Sequence, residues 1–218
     1  MLKCSTSLWS ADLANLAAEV RRVEPYSERF HLDVADGHYV PTLLFFPDLV
    51  RALRPHTARP FEVHLMTTDP LAWVEPFLDA GADGFLFCFD TLDDPARAID
   101  IVRSRGKFVG LSLSLGDDLS ALEPYWDVLD QVTILGTALG IKGAAMDESV
   151  PAKVRRARAI VDSRRLSTEI QVDGGIRAHT VPTLASAGAD WVVPGSLFFG
   201  SDPGEVRRWL DGLPGLMS

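Results

Sequence analysis

His31, Asp33, His64 and Asp173 are the side chains of this chain best suited to chemistry. They sit near the ends of three short apolar runs, ERFHLD, RPFEVHLM and STEIQVDGG. Runs of this length, rich in Val, Ile and Phe and bounded by turn residues, read as buried strands. Two imidazoles and two carboxylates at the ends of separate strands become useful only if the strands converge. Converged, they match a site for one divalent metal with mixed nitrogen and oxygen ligands. The two carboxylates would also stand where they can work as acid and base. The competing reading is four unrelated polar residues at strand ends.

The elements that must bring them together follow a regular alternation. Strand candidates are residues 2–8, 29–34, 60–65, 84–88, 108–113, 131–135, 169–173 and 191–193. Between them lie helical stripes: Leu13, Leu16, Ala17 and Val20 behind the N-cap candidates Ser10 and Asp12; Leu71, Val74, Phe77 and Leu78; Ala98, Ile99, Ile101 and Val102; Val154, Ala157, Ile160 and Val161. Residues 177–187 and 205–210 complete the helices. Eight strand–helix units in one chain of 218 residues predict a single (β/α)8 TIM barrel over residues 1–218. A doubly wound open sheet is the alternative. The barrel is preferred because polar residues follow several different strands, and barrels build their sites from all the strand C-termini.

Composition narrows the partners. A hydrophobic fraction of 47% and a charged fraction of 23% are ordinary for a globular domain. A net charge of −9 argues against nucleic acid, whose phosphates attract basic surfaces. No apolar stretch approaches the ~20 residues of a membrane span, and the opening MLKCSTSLWSAD lacks the apolar core of a secretory signal. The expected location is the cytoplasm. Cys4 and Cys88, the only cysteines, are too few for a disulfide framework and read as buried thiols.

Two glycine-bearing stretches come late, Gly174-Gly175 after the seventh strand candidate and Gly195-Ser196 after the eighth. Barrels commonly bind phosphate in these two loops, with a short extra helix beyond the last strand. Ser196–Phe199 is the candidate for that helix. The alternative is that the glycines only make tight turns.

These motifs together resemble the ribulose-phosphate 3-epimerase family. Ser7-Leu8-Trp9-Ser10-Ala11-Asp12 is similar to its opening S-I-L-S-A-D, and residues 31–41, HLDVADGHYVP, to its H-x-D-x-M-D-G-x-F-V-P. His64-Leu65-Met66 matches H-L-M, Val172-Asp173-Gly174-Gly175-Ile176 matches V-D-G-G-I, and Gly195-Ser196 matches the closing G-S. The likeness runs from Ser7 to about Ser201. It implies a barrel with one divalent metal on His31, Asp33, His64 and Asp173, an acid–base pair of Asp33 and Asp173, Ser7 on the substrate, and phosphate against Gly174, Gly175, Gly195 and Ser196. It also implies a homo-oligomer. The residue types leave the metal open among Zn²⁺, Fe²⁺, Mn²⁺ and Co²⁺.

The departures cluster around the same pocket. Where the family's sixth-strand lid reads roughly N-P-G-F-G-G-Q, this chain has Ala138-Leu139-Gly140-Ile141-Lys142-Gly143-Ala144. Gly140 and Gly143 keep the lid's glycines, and Lys142 is a new cation that could reach an anionic substrate group. Ala35 replaces a methionine, Cys88 a histidine, and Ser114-Leu115 an Asn-Pro. The resemblance implies a 3-epimerase acting on D-ribulose 5-phosphate and D-xylulose 5-phosphate. A ketohexose phosphate such as allulose 6-phosphate is the nearest alternative, and a non-catalytic sugar-phosphate-binding barrel the next. A decarboxylase of related architecture would need a D-x-K-x-x-D array, and Asp33-Val34-Ala35-Asp36 has no lysine.

Overall fold

The computed structural model describes residues 1–213. Eight parallel strands form the barrel: β1 (Lys3–Ser7), β2 (Arg29–Asp36), β3 (Phe61–Met66), β4 (Gly84–Cys88), β5 (Phe108–Leu113), β6 (Gln131–Leu135), β7 (Glu169–Asp173) and β8 (Trp191–Val193). Each pairs with its sequence neighbours, and β1 pairs with both β2 and β8, which closes the sheet. The TIM barrel expected from the sequence is therefore the fold. Residues 214–218 of the expected single domain lie outside the described residues. A two-residue strand, Leu43–Leu44, returns antiparallel to the end of β2.

Strand alternation divides the structure into two interiors. Phe30, Leu32, Val63, Leu65, Phe85 and Phe87 face outward and are fully buried under the helices. The residues between them point into the barrel and are largely polar: Ser5, Ser7, Arg29, His31, Asp33, Glu62, His64, Ser112, Gln131, Thr133 and Gln171 are all buried. Register holds this inner set together, because Ser7 lies beside His31, Asp33 beside His64 and Thr133 beside Gln171.

The helices are α1 (Leu16–Val23), α2 (Pro47–Leu53), α3 (Leu71–Asp79), α4 (Pro95–Ser104), α5 (Val150–Arg164), α6 (Val181–Ala187), α7 (Ser196–Phe199) and α8 (Pro203–Asp211). Asp94 and Asp202 cap α4 and α8 through their side chains, each just before a proline in the first turn. Two expectations are corrected. The helix expected from residue 177 begins at Val181, because Arg177–Thr180 forms a turn in which Thr180 Oγ accepts from the Arg177 amide. The connection between β5 and β6 contains no α-helix. It forms two 3₁₀ turns, Leu119–Leu122 and Trp126–Val128, on either side of Pro124, which has no N–H with which to continue a helical ladder. Leu119, Leu122 and Trp126 still bury the apolar surface that a helix would cover.

Phe85 is fully buried on the outer face of β4, stacked near Phe87 with centroids 6.1 Å apart. Phe85→Ala should lower the unfolding free energy by about 3–5 kcal/mol. Urea denaturation of the full chain measures this. A loss below about 1 kcal/mol would mean that the outer core collapses around the gap.

Candidate active site

The four polar residues singled out above converge at the C-terminal mouth of the barrel. One ligand atom from each of His31, Asp33, His64 and Asp173 lies within 4.8 Å of all the others. His31 and Asp33 come from β2, His64 from β3 and Asp173 from the last position of β7. His31 Nε2 is 3.3 Å from Asp33 Oδ1 and 3.6 Å from Asp173 Oδ2, and His64 Nδ1 is 3.7 Å from the same Asp173 oxygen. Both imidazoles are completely buried.

The outer nitrogens of the two rings settle which way each ring faces. His31 Nδ1 lies 2.6 Å from Glu62 Oε1, so it carries the proton and donates it. That leaves the Nε2 lone pair pointing into the cluster. Ser112 Oγ donates its one hydrogen to the Phe87 carbonyl at 3.3 Å. It therefore accepts from His64 Nε2–H at 3.1 Å, and the His64 Nδ1 lone pair also points inward. His31 Nε2 and His64 Nδ1 are both buried without a hydrogen-bond partner. Two bare imidazole nitrogens facing two carboxylates, with no donor among them, form a set that a divalent cation fits and that hydrogen bonding alone leaves unsatisfied.

The same crowding separates the carboxylates. Burial raises the Asp173 carboxyl to about 7; His31 lowers it, and the Asp33 and Glu62 charges reinforce the rise. Burial also pushes Asp33 upward, but His31, His64 and a 2.7 Å hydrogen bond donated by Ser7 Oγ outweigh it and hold that carboxyl below its ordinary range. Burial and the neighbouring His31 bring His64 down to about 4. Burial lowers His31, yet Asp33 and Asp173 carry it well above its ordinary value, so protonation is the second way in which this centre acquires positive charge.

A cavity of about 220 Å³ opens above the cluster. Asp33 and Asp173 form its floor, and it is also lined by Ser7, Gly140, Lys142, Gly143, Gly174, Gly175, Gly195 and Ser196. Ser7, the expected phosphate-binding residues and the sixth-strand loop thus border one space, and His64, which as a metal-binding residue is also expected to contact the substrate, is fully buried and does not line it. Gly174 has a φ of +94°, and a Cβ there would stand 2.5 Å from Thr137 Oγ1. At Gly195, the N-cap of the four-residue α7, a Cβ would stand 2.4 Å from Ser10 Oγ. These two glycines let the loops after β6, β7, β8 and β1 close around the far end of the cavity.

Lys142, expected as a cation within reach of the substrate, has a backbone partner in the structure. Its Nζ donates to the Trp9 carbonyl at 2.8 Å and so ties the sixth-strand loop to the first-strand loop across the cavity mouth. On the other side, Thr42 Oγ1 donates to the Gly140 carbonyl at 2.9 Å. Ala35 does not border the cavity; it packs with Val40, Met66 and Cys88. Cys88 does reach the site, with Sγ 3.6 Å from His64 Nε2. Glu62 and Ser112, which orient the two imidazoles, were not among the residues expected to matter. Both lie at even spacing from His64 or Cys88 along or beside their strands, which is the one signal that would have marked them as inward-facing.

Comparison with known proteins agrees with this geometry. The profile of the ribulose-phosphate 3 epimerase family matches residues 3–199. The cytoplasmic isoform of ribulose-phosphate 3-epimerase from Oryza sativa subsp. japonica is 35% identical over 207 residues, covering 94% of this chain and 90% of the rice protein. The ribulose-phosphate 3-epimerase of Treponema pallidum is 38% identical over 194 residues, covering 88% and 89%. Among solved structures, 3-hexulose-6-phosphate synthase from Salmonella typhimurium superposes with a TM-score of 0.68 at 21% identity, covering 97% of this chain and 98% of the synthase, a likeness of fold alone. The matched span carries all four clustered residues and both glycine loops, and the chain belongs to the ribulose-phosphate 3-epimerase family.

Proposed function

We propose that this barrel is a metal-dependent 3-epimerase of a phosphorylated ketose, with D-ribulose 5-phosphate and D-xylulose 5-phosphate as its pair. Family membership makes it an isomerase of carbohydrate phosphates. The observation that carries the metal-dependent mechanism is the pair of buried, unpartnered imidazole nitrogens facing two carboxylates. A cytoplasmic location belongs to this reading and is supported by the name of the rice relative.

The hydrogen on C3 of a 2-ketose phosphate is acidified by the adjacent ketone. Inversion breaks that C–H bond, passes its proton to a carboxylate on one side, and forms a new C–H bond with a proton from a carboxylic acid on the other. Asp33 and Asp173 stand on strands three places apart around the barrel and suit these two roles. In the absence of a cation, their environments drive them toward opposite protonation states. Between the two transfers the substrate is a cis-enediolate. A divalent cation held by His31, Asp33, His64 and Asp173 would supply Lewis-acid stabilisation of the negative charge that builds on the substrate oxygens. Ser7 keeps Asp33 oriented through its hydrogen bond. The backbone around Gly174, Gly175, Gly195 and Ser196 suits the phosphate, since glycine lets amide groups approach an anion closely. The loop carrying Gly140, Lys142 and Gly143 covers the substrate and excludes water.

A Schiff-base aldolase fits less well. Lys3, the lysine on a barrel strand, lies at the opposite end of β1 from the site and pairs with Glu169.

Asp33→Asn and Asp173→Asn should each reduce epimerisation to background, because each removes a proton carrier. A coupled assay on D-ribulose 5-phosphate, with metal content measured on the same samples, tests this. Substantial turnover by either metal-loaded variant would exclude that residue as an essential acid or base. Chelation of the wild type should likewise abolish turnover, and re-addition of a divalent metal should restore it. Full activity in the stripped protein would exclude metal dependence.

Lys142→Ala should lower kcat and raise KM together, since the ammonium ties the lid to the Trp9 carbonyl. One lost hydrogen bond of about 0.5–1.5 kcal/mol corresponds to a fall of about 2- to 12-fold in kcat/KM. A rise in KM at constant kcat would instead return Lys142 to the substrate's anionic group.

A further inference from the structure

Directly beneath the site lies a buried charged pair that the proposed chemistry does not use. Glu62 projects inward from β3, two residues before His64, and is completely buried. Its Oε1 accepts from His31 Nδ1 at 2.6 Å, Ser5 Oγ at 2.9 Å and Gln171 Nε2 at 3.0 Å. Its Oε2 accepts from Arg29 at 2.6 Å and Gln131 Nε2 at 3.2 Å. Arg29 is buried too, with its guanidinium 3.7 Å from the centroid of Trp191 and 4.9 Å from that of Phe108.

The geometry points to Glu62 as a positioning residue that fixes which nitrogen of His31 is offered to a metal. This inference rests on the metal-binding reading above. A carboxylate offers about four lone-pair sites, and here five donors from four other strands converge on them. The carboxylate has no freedom to turn away. If His31 carried its proton on Nε2, the Nδ1 lone pair would face a carboxylate oxygen at 2.6 Å, an arrangement with repulsion and no hydrogen bond. The Nδ1–H tautomer is thereby selected, the ring plane is held, and Nε2 is left as the donor. A carboxylate behind a ligating imidazole also increases the basicity of the ligand. Arg29 cancels the Glu62 charge, so the pair orients the ring without adding net charge beneath the ligands. Stability alone is a weak reason for such an arrangement, because the desolvation of a buried ion pair commonly offsets its attraction.

The test uses the full chain and Zn²⁺, with affinity measured by competition against a chromophoric chelator. Glu62→Gln keeps the shape and removes the charge, and should weaken Zn²⁺ binding about 10- to 100-fold. The loss should persist in a His64→Ala background and disappear in a His31→Ala background, because Glu62 acts through His31 alone. A general structural role would produce equal losses in both backgrounds and would overturn the inference. So would wild-type affinity in a folded Glu62→Gln protein. An independent measurement needs no variant: long-range ¹⁵N–¹H NMR of the zinc-loaded wild type should find the His31 proton on Nδ1. A proton on Nε2 would overturn the inference even if Glu62→Gln failed to fold. Absence of Zn²⁺ binding by the wild type would defeat the metal-binding reading together with this one, whereas unchanged affinity in Glu62→Gln defeats this one alone.

Discussion

Two imidazoles and two carboxylates face one another at the mouth of the barrel. His31 Nε2 and His64 Nδ1 point their lone pairs at the carboxylates of Asp33 and Asp173, all within 4.8 Å. Left alone, such a centre is repulsive. It persists because the strands that carry it are fixed from behind, by Glu62 on one imidazole and Ser112 on the other. Neutralisation then comes from positive charge brought to the middle, whether a cation or the proton that His31 is driven to hold. A site that attracts positive charge this strongly, open to a cavity lined by glycine loops, is suited to a substrate that develops negative charge on its oxygens and carries a phosphate at its far end.

The fold meets that demand by giving the two faces of each strand separate tasks. Outward residues such as Phe30, Val63 and Phe85 bury apolar surface under the helices and supply the driving force for folding. Inward residues form a hydrogen-bonded polar stack, from Arg29 and Gln131 near the floor to Asp33 and Asp173 at the mouth. Most of that stack is satisfied internally, so the barrel can keep charge in its centre. The loops need no such rigidity. The loop after β6 is held by a few hydrogen bonds, from Lys142 to Trp9 and from Thr42 to Gly140.

Much of this was legible in the sequence because the relevant signals are local. Apolar runs bounded by turn residues marked all eight strands, and polar residues at their ends marked the site. The eightfold strand–helix alternation fails between β5 and β6, where Leu119, Leu122 and Trp126 bury apolar surface as a helix would while Pro124 denies the backbone its ladder. The Trp9 contact of Lys142 was not legible for another reason. A lysine in a loop announces its charge but not its partner, and a backbone carbonyl on another loop leaves no trace in sequence. The floor of the site was overlooked although its signal was present. Once His31 and His64 are known to face inward, the period of two places Arg29 and Glu62 beside them, and two charged residues inside apolar strands call for each other.

In the proposed reaction, Asp33 and Asp173 exchange the C3 proton of a ketose phosphate at a divalent-metal centre. Proton NMR of D-ribulose 5-phosphate in D₂O with the metal-loaded protein tests it most directly. The expected result is loss of the C3 proton signal to deuterium together with appearance of D-xylulose 5-phosphate, and neither change with the metal-stripped protein. Retention of the C3 proton by a folded protein shown to contain metal would contradict it.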